Sequence, residues 1–365
     1  MECSAIMINN RIGPFGAAVL LSLSRVFTEV SSLPGDSTRY GMQRFTVILL
    51  SFLLTGVVYI PLILFLKRSD GLSPAEVIPG KSKALSAFTG TVLSAYLLIC
   101  AAETGLRSHY YASETVFGYA PSVYFYIIAG AALLFAVYKG TEACSRTALL
   151  TFGVLAVLLL LILTALLPEL HTDRLYPSFT DDVPALWTQV LNEFSLNSEY
   201  VLFALLCGRI SGRKTAAVPV YLGVSCFLTL FMTFMYNTVF GRLVSRLELP
   251  FYTLSSVSDL TFLHRINGID AAVWLMAGIL RTAFFAFAFG ETVQRFFYAK
   301  RAFLPASLIF SAVSLSLSGL FTAYPDRYDP INRLCSSGIP LAFTAILLTA
   351  AAFLSRKPER SEVKP

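Results

Sequence analysis

"QVLNEFSLNSEYVLF", residues Gln189–Phe203, is polar where a membrane helix should be most apolar. The segment around it, Pro184–Cys207, has the length of a bilayer span, yet Asn192, Glu193, Ser195, Asn197, Ser198 and Glu199 fall in its middle. A hydrocarbon core of ~30 Å takes about 20 apolar residues. A charge near its centre costs about 2.5–3.5 kcal/mol on insertion scales. A span with such residues faces a polar interior, where it pairs them or uses them.

"LSLSRVFTEVSSLPG", Leu21–Gly35, raises the same question. Arg25 and Glu29 lie one helical turn apart among Ser22, Ser24, Thr28, Ser31 and Ser32. The plain reading is an i,i+4 ion pair near the outer interface; the alternative is a role facing a ligand or a water path. Neither polar core contains Gly or Pro, so an opening of either helix would rest on Ser, Thr and Asn, whose side chains compete for backbone bonds.

The remainder of the chain supplies the frame. Of its 365 residues, 56% are hydrophobic and 14% charged, against roughly 25% charge in a soluble domain. Ten helical spans are expected: Ile12–Leu33, Gln43–Leu66, Ala84–Arg107, Pro121–Tyr138, Ala143–Leu167, Pro184–Cys207, Ala216–Gly241, Gly268–Phe297, Ala302–Tyr324 and Ser337–Leu354. Continuous apolar runs exclude a porin-like barrel, and backbone satisfaction in lipid leaves helices. The fold class is therefore an all-α integral membrane protein. Residues 1–11 precede a transmembrane domain of two halves, 12–167 and 184–354, and 356–365 read as a disordered tail.

The net charge of +6 reflects Lys and Arg in alternate loops, among them Lys67, Arg68, Lys139, Arg209, Lys214 and Arg301. That bias places both termini in the cytoplasm and gives no reason to expect nucleic acid. Cys and His are dispersed, so neither a disulfide framework, a metal site nor a cofactor is expected. No phosphate loop, nucleophile elbow or HExxH is present, and an enzyme is not expected.

The two interrupted spans, the first and the sixth, hold corresponding positions in the two halves. Such a pair points to a transporter binding site built from discontinuous helices. Arg281, in "GILRTAFFAFAFGE", lies mid-span with no acid one turn away, so it should find a carboxylate on another helix: Glu29, Glu103 or Glu199. Glu103 and Arg107 repeat the i,i+4 spacing. "PFYTLSSVSDLTFLHR", Pro250–Arg265, suggests a short helix in the outer interface.

"LPFYTLSSVSDLTFLHRINGIDAAVWLMAGILRTAFFAFAFGE" resembles a stretch of the B subunits of bacterial spore germinant receptors, with Arg265 and Trp274 at the family's spacing. "YKGTEACSRTALLTFGVL" and "LYPSFTDDVPALW" echo its entrance to the fifth span and its loop before the sixth. The resemblance places the chain in the amino acid–polyamine–organocation superfamily. It implies two inverted five-helix repeats, discontinuous first and sixth helices, and a central site between the first, third, sixth and eighth spans. It also implies a multi-pass protein of the bacterial inner membrane, A-type and C-type partner subunits, and a small nutrient ligand such as an amino acid. Carried across, Ser22, Ser24, Tyr96, Glu103, Phe194, Leu196 and Thr282 fall in the site, and Arg25, Thr28 and Arg281 join the ligand residues from the reading of the polar positions above. Glu29, Glu103 and Glu199 are the candidates for a proton or water path. Asn267 and Gly268 depart from the family's acid and Ala after Arg265, and Arg25 stands where a first-span glycine is usual. A proton- or sodium-coupled amino acid transporter is the second reading, and an assembly subunit with a vestigial site the third.

Overall fold

The structure is a computed structural model that describes residues 11–31, 41–69, 72–80, 82–118, 121–175, 183–258, 266–299 and 301–354. Fourteen α-helices carry almost all of it: α1 Pro14–Val30, α2 Met42–Arg68, α3 Pro74–Val77, α4 Lys83–Ala112, α5 Ser122–Lys139, α6 Thr141–Leu166, α7 Val183–Ser195, α8 Glu199–Leu206, α9 Ala217–Phe240, α10 Pro250–Val257, α11 Ile266–Phe296, α12 Phe303–Ala323, α13 Pro325–Ser336 and α14 Ile339–Leu354. The described residues contain no strand beyond one isolated parallel bridge, Ile12 to Ile210.

Among the described residues, seven helices are long and apolar enough to cross a membrane, and α13–α14, bent by 57°, makes eight when taken as one span. The first and sixth expected spans fall on α1, which has 17 residues, and on the α7–α8 pair. The second half repeats the element order of the first: the short α3 precedes α4 as the short α10 precedes α11.

At the centre is α11, which packs against α4, α12, α6, α1 and α5. Small residues bring these axes together. A Cβ on Gly278 would lie 2.5 Å from Ser108 Oγ and 3.0 Å from a Phe27 ring carbon. On α12, Ser307, Ser311, Ser314 and Ser318 are all buried, so the serine repeat faces the bundle; the first three hydroxyls bond to their own helix, and that of Ser318 meets Tyr126 O–H at 3.2 Å.

Three expectations are corrected. The first span is not discontinuous: α1 runs unbroken and is buried from Gly16 to Thr28. With neither Gly nor Pro in the way, its hydroxyls bond back to the helix, as Thr28 Oγ1 to Arg25 O at 2.6 Å, or reach across to neighbours, and free no backbone group. Second, the stretch between the expected spans ending at Tyr324 and starting at Ser337 is not a plain loop: it forms α13, with Asp326 and Asp329 on it, which Pro325 starts at a favourable first-turn position. Third, α10 does not simply lie in an interface. Phe251 and Leu254 are buried, with Phe251 edge-on to Trp274 at 5.9 Å, and Val257 is exposed. Phe262 and Arg265, and the loop acids Asp36, Asp181 and Asp182, lie outside the described residues.

At the end of the bundle where α1 begins, the interior is sealed. Ile12 N donates to Arg209 O at 3.0 Å and Ser211 N to Ile12 O at 2.9 Å. Glu291 accepts from Arg209 at 2.7 Å and from Arg295 at 3.0 Å, and the Arg209 guanidinium lies 3.9 Å over the Phe303 ring. The larger polar cavity lies toward the opposite end, where α1 stops and α2 starts.

Candidate functional site

The sixth span breaks at Leu196–Ser198, and one side chain ties the break together. Asn197 Nδ2 donates to the carbonyls of Glu193 and Phe194 at 3.3 and 3.2 Å, which also accept the backbone N–H groups of Leu196 and Asn197 at 3.3 and 3.0 Å. Its Oδ1 accepts from Arg25 Nε at 3.2 Å and from Tyr221 O–H at 3.2 Å. Asn197 is fully buried, so the break is fixed in place by its partners.

Two connected ion clusters surround it. In the first, Arg25 pairs with Glu193, and Arg44 joins Glu193 at 2.7 Å and Glu29 at 2.6 Å. The i,i+4 reading of Arg25 and Glu29 is thus corrected. Arg25 points inward to the break, and Glu29 reaches the start of α2. In the second, Arg281 pairs with Glu199, so among the three carboxylates considered for Arg281 the partner is Glu199. Ser24 Oγ donates to Glu199 Oε1 at 2.7 Å. Three cations (Arg25, Arg44, Arg281) meet three carboxylates (Glu29, Glu193, Glu199), and the sum is zero. This neutrality is how the bundle tolerates six buried charges: breaking one buried pair by removing one partner costs about 3–5 kcal/mol. The Glu103–Arg107 pair forms as expected, at 2.9 Å.

Beside the break lies a cavity of about 430 Å³, lined from α1, α2, α4, α7, α11, α13 and α14. Of the residues singled out from sequence, Thr28, Glu29, Tyr96, Glu103, Leu196 and Arg281 line it. Arg25, Ser24 and Glu199 stand behind its wall, fully buried or nearly so. Ser22 directs its hydroxyl at Tyr221 O, 3.5 Å away. Phe194 packs beneath the α13–α14 bend, where its ring would be 3.3 Å from a Cβ on Gly338. Thr282 is on another face of α11; it bonds to Gly278 O at 2.9 Å and lines a separate apolar cavity of about 190 Å³.

Sequence reasoning missed Arg44 and the α13 residues Asp329, Asn332 and Arg333, which line the cavity from a stretch outside the expected spans; it marked Asn197 as a mid-span polar residue without giving it a role. Arg44 carried a usable signal, since an arginine at the start of an apolar run invites the argument applied to Arg281. Its Nε–H is buried without an acceptor among the described residues. The charged lining is balanced, with Arg44, Arg107, Arg281 and Arg333 against Glu29, Glu103, Glu193 and Asp329. Among the described residues no group of three His, Cys, Asp or Glu side chains is placed to hold a metal ion.

Apolar helices of span length around a buried polar cavity beside a broken helix define a multi-pass membrane protein of the permease type. A family model described as spore germination protein (spore permease) matches residues 38–321, and the chain belongs to the spore germination permease family. No curated protein matches. Among solved structures, a Na⁺-coupled sialic acid symporter in a substrate-bound outward-open state superposes with a TM-score of 0.63 at 12% identity, over 95% of this chain and 79% of that one. A nucleobase-cation-symport-1 family transporter, closed with bromovinylhydantoin bound, gives 0.60 at 11% identity, over 90% and 78%. The fold is the inverted-repeat fold of such transporters, and family and fold alike are those of permeases, not enzymes.

Proposed function

We propose that the chain is the membrane-embedded subunit of a spore germinant receptor. It binds an amino acid or a similar small zwitterion in the 430 Å³ cavity and passes the event to A-type and C-type partner subunits. The observation that carries this reading is a lining with four charges of each sign, in which Arg44 keeps a buried Nε–H without an acceptor among the described residues. A buried donor left unmet costs about 1–3 kcal/mol, and a ligand carboxylate meets it. Glu103, partly exposed at the same cavity, suits the ammonium end, with Tyr96 and Leu196 as walls.

In this reading the protein lies in the inner membrane of the cell or spore, and the excess of Lys and Arg in alternate loops supports a cytoplasmic sealed end with both termini beside it. The ligand then arrives from the outer side. Signalling needs only that it prefer one conformation of the bundle. The second reading, proton- or sodium-coupled amino acid transport, draws support from the symporter fold. Uptake of the identified ligand into proteoliposomes separates the two. Accumulation driven by a proton or sodium gradient favours transport, and saturable binding without accumulation favours the receptor.

A further inference from the structure

The guanidinium of Arg281 sits in a cage of oxygens. Nε donates to Thr104 Oγ1 at 3.1 Å. Nη1 donates to the Ser24 carbonyl at 2.5 Å and to Ser24 Oγ at 3.0 Å. Nη2 donates to Ser198 Oγ at 2.8 Å, and Glu199 Oε1 closes the set as the charged partner. One carboxylate, one backbone carbonyl and three hydroxyls therefore converge from α1, α4, the sixth-span break and α8. Hard oxygens of this kind and number are what bind a small hard cation, and here a side chain of the protein fills the space.

We propose that Arg281 is a tethered cation. It occupies a site whose donor set suits a small monovalent ion, and it makes the joint between α1, α4, α8 and α11 independent of any ion that dissociates. Three features carry the inference. A guanidinium does not lose its proton in proteins, so the cage holds its positive charge under all physiological conditions. The cage exists only in the folded bundle, because Ser24 is 257 residues and Glu199 82 residues from Arg281 in the chain. The second carboxylate oxygen, Glu199 Oε2, is buried with no partner among the described residues, so the anionic side of the cage retains accepting capacity. Without the guanidinium, Glu199, Ser24, Ser198 and Thr104 would be an anionic oxygen pocket open to the cavity that Arg281 now lines. The inference concerns the cage alone and stands whatever ligand the cavity takes.

The test uses the purified full-length protein in detergent, with melting midpoints read in sodium, potassium and choline chloride at equal ionic strength and no organic ligand. The wild type is expected to melt at the same temperature in all three. Arg281→Ala is expected to lose on the order of 5–10 °C in choline chloride. It should recover a large part of that loss, saturably, in sodium chloride or in sub-denaturing guanidinium chloride. Arg281→Met/Glu199→Gln removes both charges, is expected to fold even if the single variant does not, and should be indifferent to the salt. A wild type selectively stabilised by sodium overturns the proposal. So does an Arg281→Ala protein equally weakened in every salt, or a double variant that still requires sodium.

Discussion

Arg44 and Asn197 do opposite things with their hydrogen-bonding groups, and the contrast explains the site. Asn197 spends its whole side chain internally, capping α7 and receiving Arg25 and Tyr221. Arg44 places Nη2 on two carboxylates and keeps Nε–H unmet. Asn197→Leu, similar in size but apolar, orphans a guanidinium donor and a phenol and removes the second donor from two carbonyls. It should destabilise the protein by about 2–4 kcal/mol, seen as a lower melting midpoint, and an unchanged midpoint would show that the break is held by something else. Glu193→Gln leaves two arginines facing one neutral amide. About 3–5 kcal/mol of stability should be lost, and the loss should be mostly recovered when Arg25→Met is added, since that removes one of the stranded charges. A double variant no more stable than the single one would contradict the pairing.

The two polar stretches that look alike in sequence become different elements. In α1 the hydroxyls of Thr28 and Ser31 return to carbonyls three and four residues back, which the helix accommodates. In the sixth span, Asn197 offers the backbone two donors at once, and the helix ends there. Residue composition alone does not separate these outcomes, because the decisive partners, Arg25 and Tyr221, come from α1 and α9. The helix α13 escaped notice for a similar reason. Its sequence, "PDRYDPINRLCS", is polar enough for a loop, and its inward contacts come from a small satellite cluster of Ala102, Leu106, Phe321 and Tyr328. It meets α14 at Gly338, whose φ of +74° places it in the left-handed region and whose Cβ would lie 3.2 Å from Leu191 O. Gly338→Ala should cost about 1–2 kcal/mol in backbone strain, measured by melting. It should also weaken ligand binding, because the bend positions Asp329, Asn332 and Arg333 at the cavity. Full stability and affinity in this variant would mean that the bend is not fixed by the glycine.

Helices stand at the expected positions in order, seven of them, or eight with the bent pair, long and apolar enough to span among the described residues, because hydrophobic run length is a property of the chain itself. The family is likewise readable from sequence. The ion clusters were visible only as charges that needed partners; which carboxylate met which arginine depended on helix packing. The cavity reaches the end where α1 stops, and the other end is closed by the Ile12–Ile210 bridge and the Arg209–Glu291 pair. Two native cysteines report on this asymmetry. Cys335 lines the cavity, and Cys207, fully buried, lies beside Arg209 at the sealed end. A membrane-impermeant thiol reagent should modify Cys335 more slowly when ligand is bound. It should reach Cys207 only in a Glu291→Gln variant, in which the seal is weakened. Rapid modification of Cys207 in the wild type would contradict a sealed end.

The most direct measurement is a melting screen of the purified protein against the amino acids, run beside Arg44→Lys, which keeps the charge and removes the Nε–H. The account predicts that at least one amino acid raises the wild-type midpoint saturably, and that the variant needs roughly tenfold more of it, as expected for the loss of ~1.4 kcal/mol. A ligand bound equally well by both proteins, or no stabilisation by any amino acid, would contradict the placement of a zwitterion at Arg44.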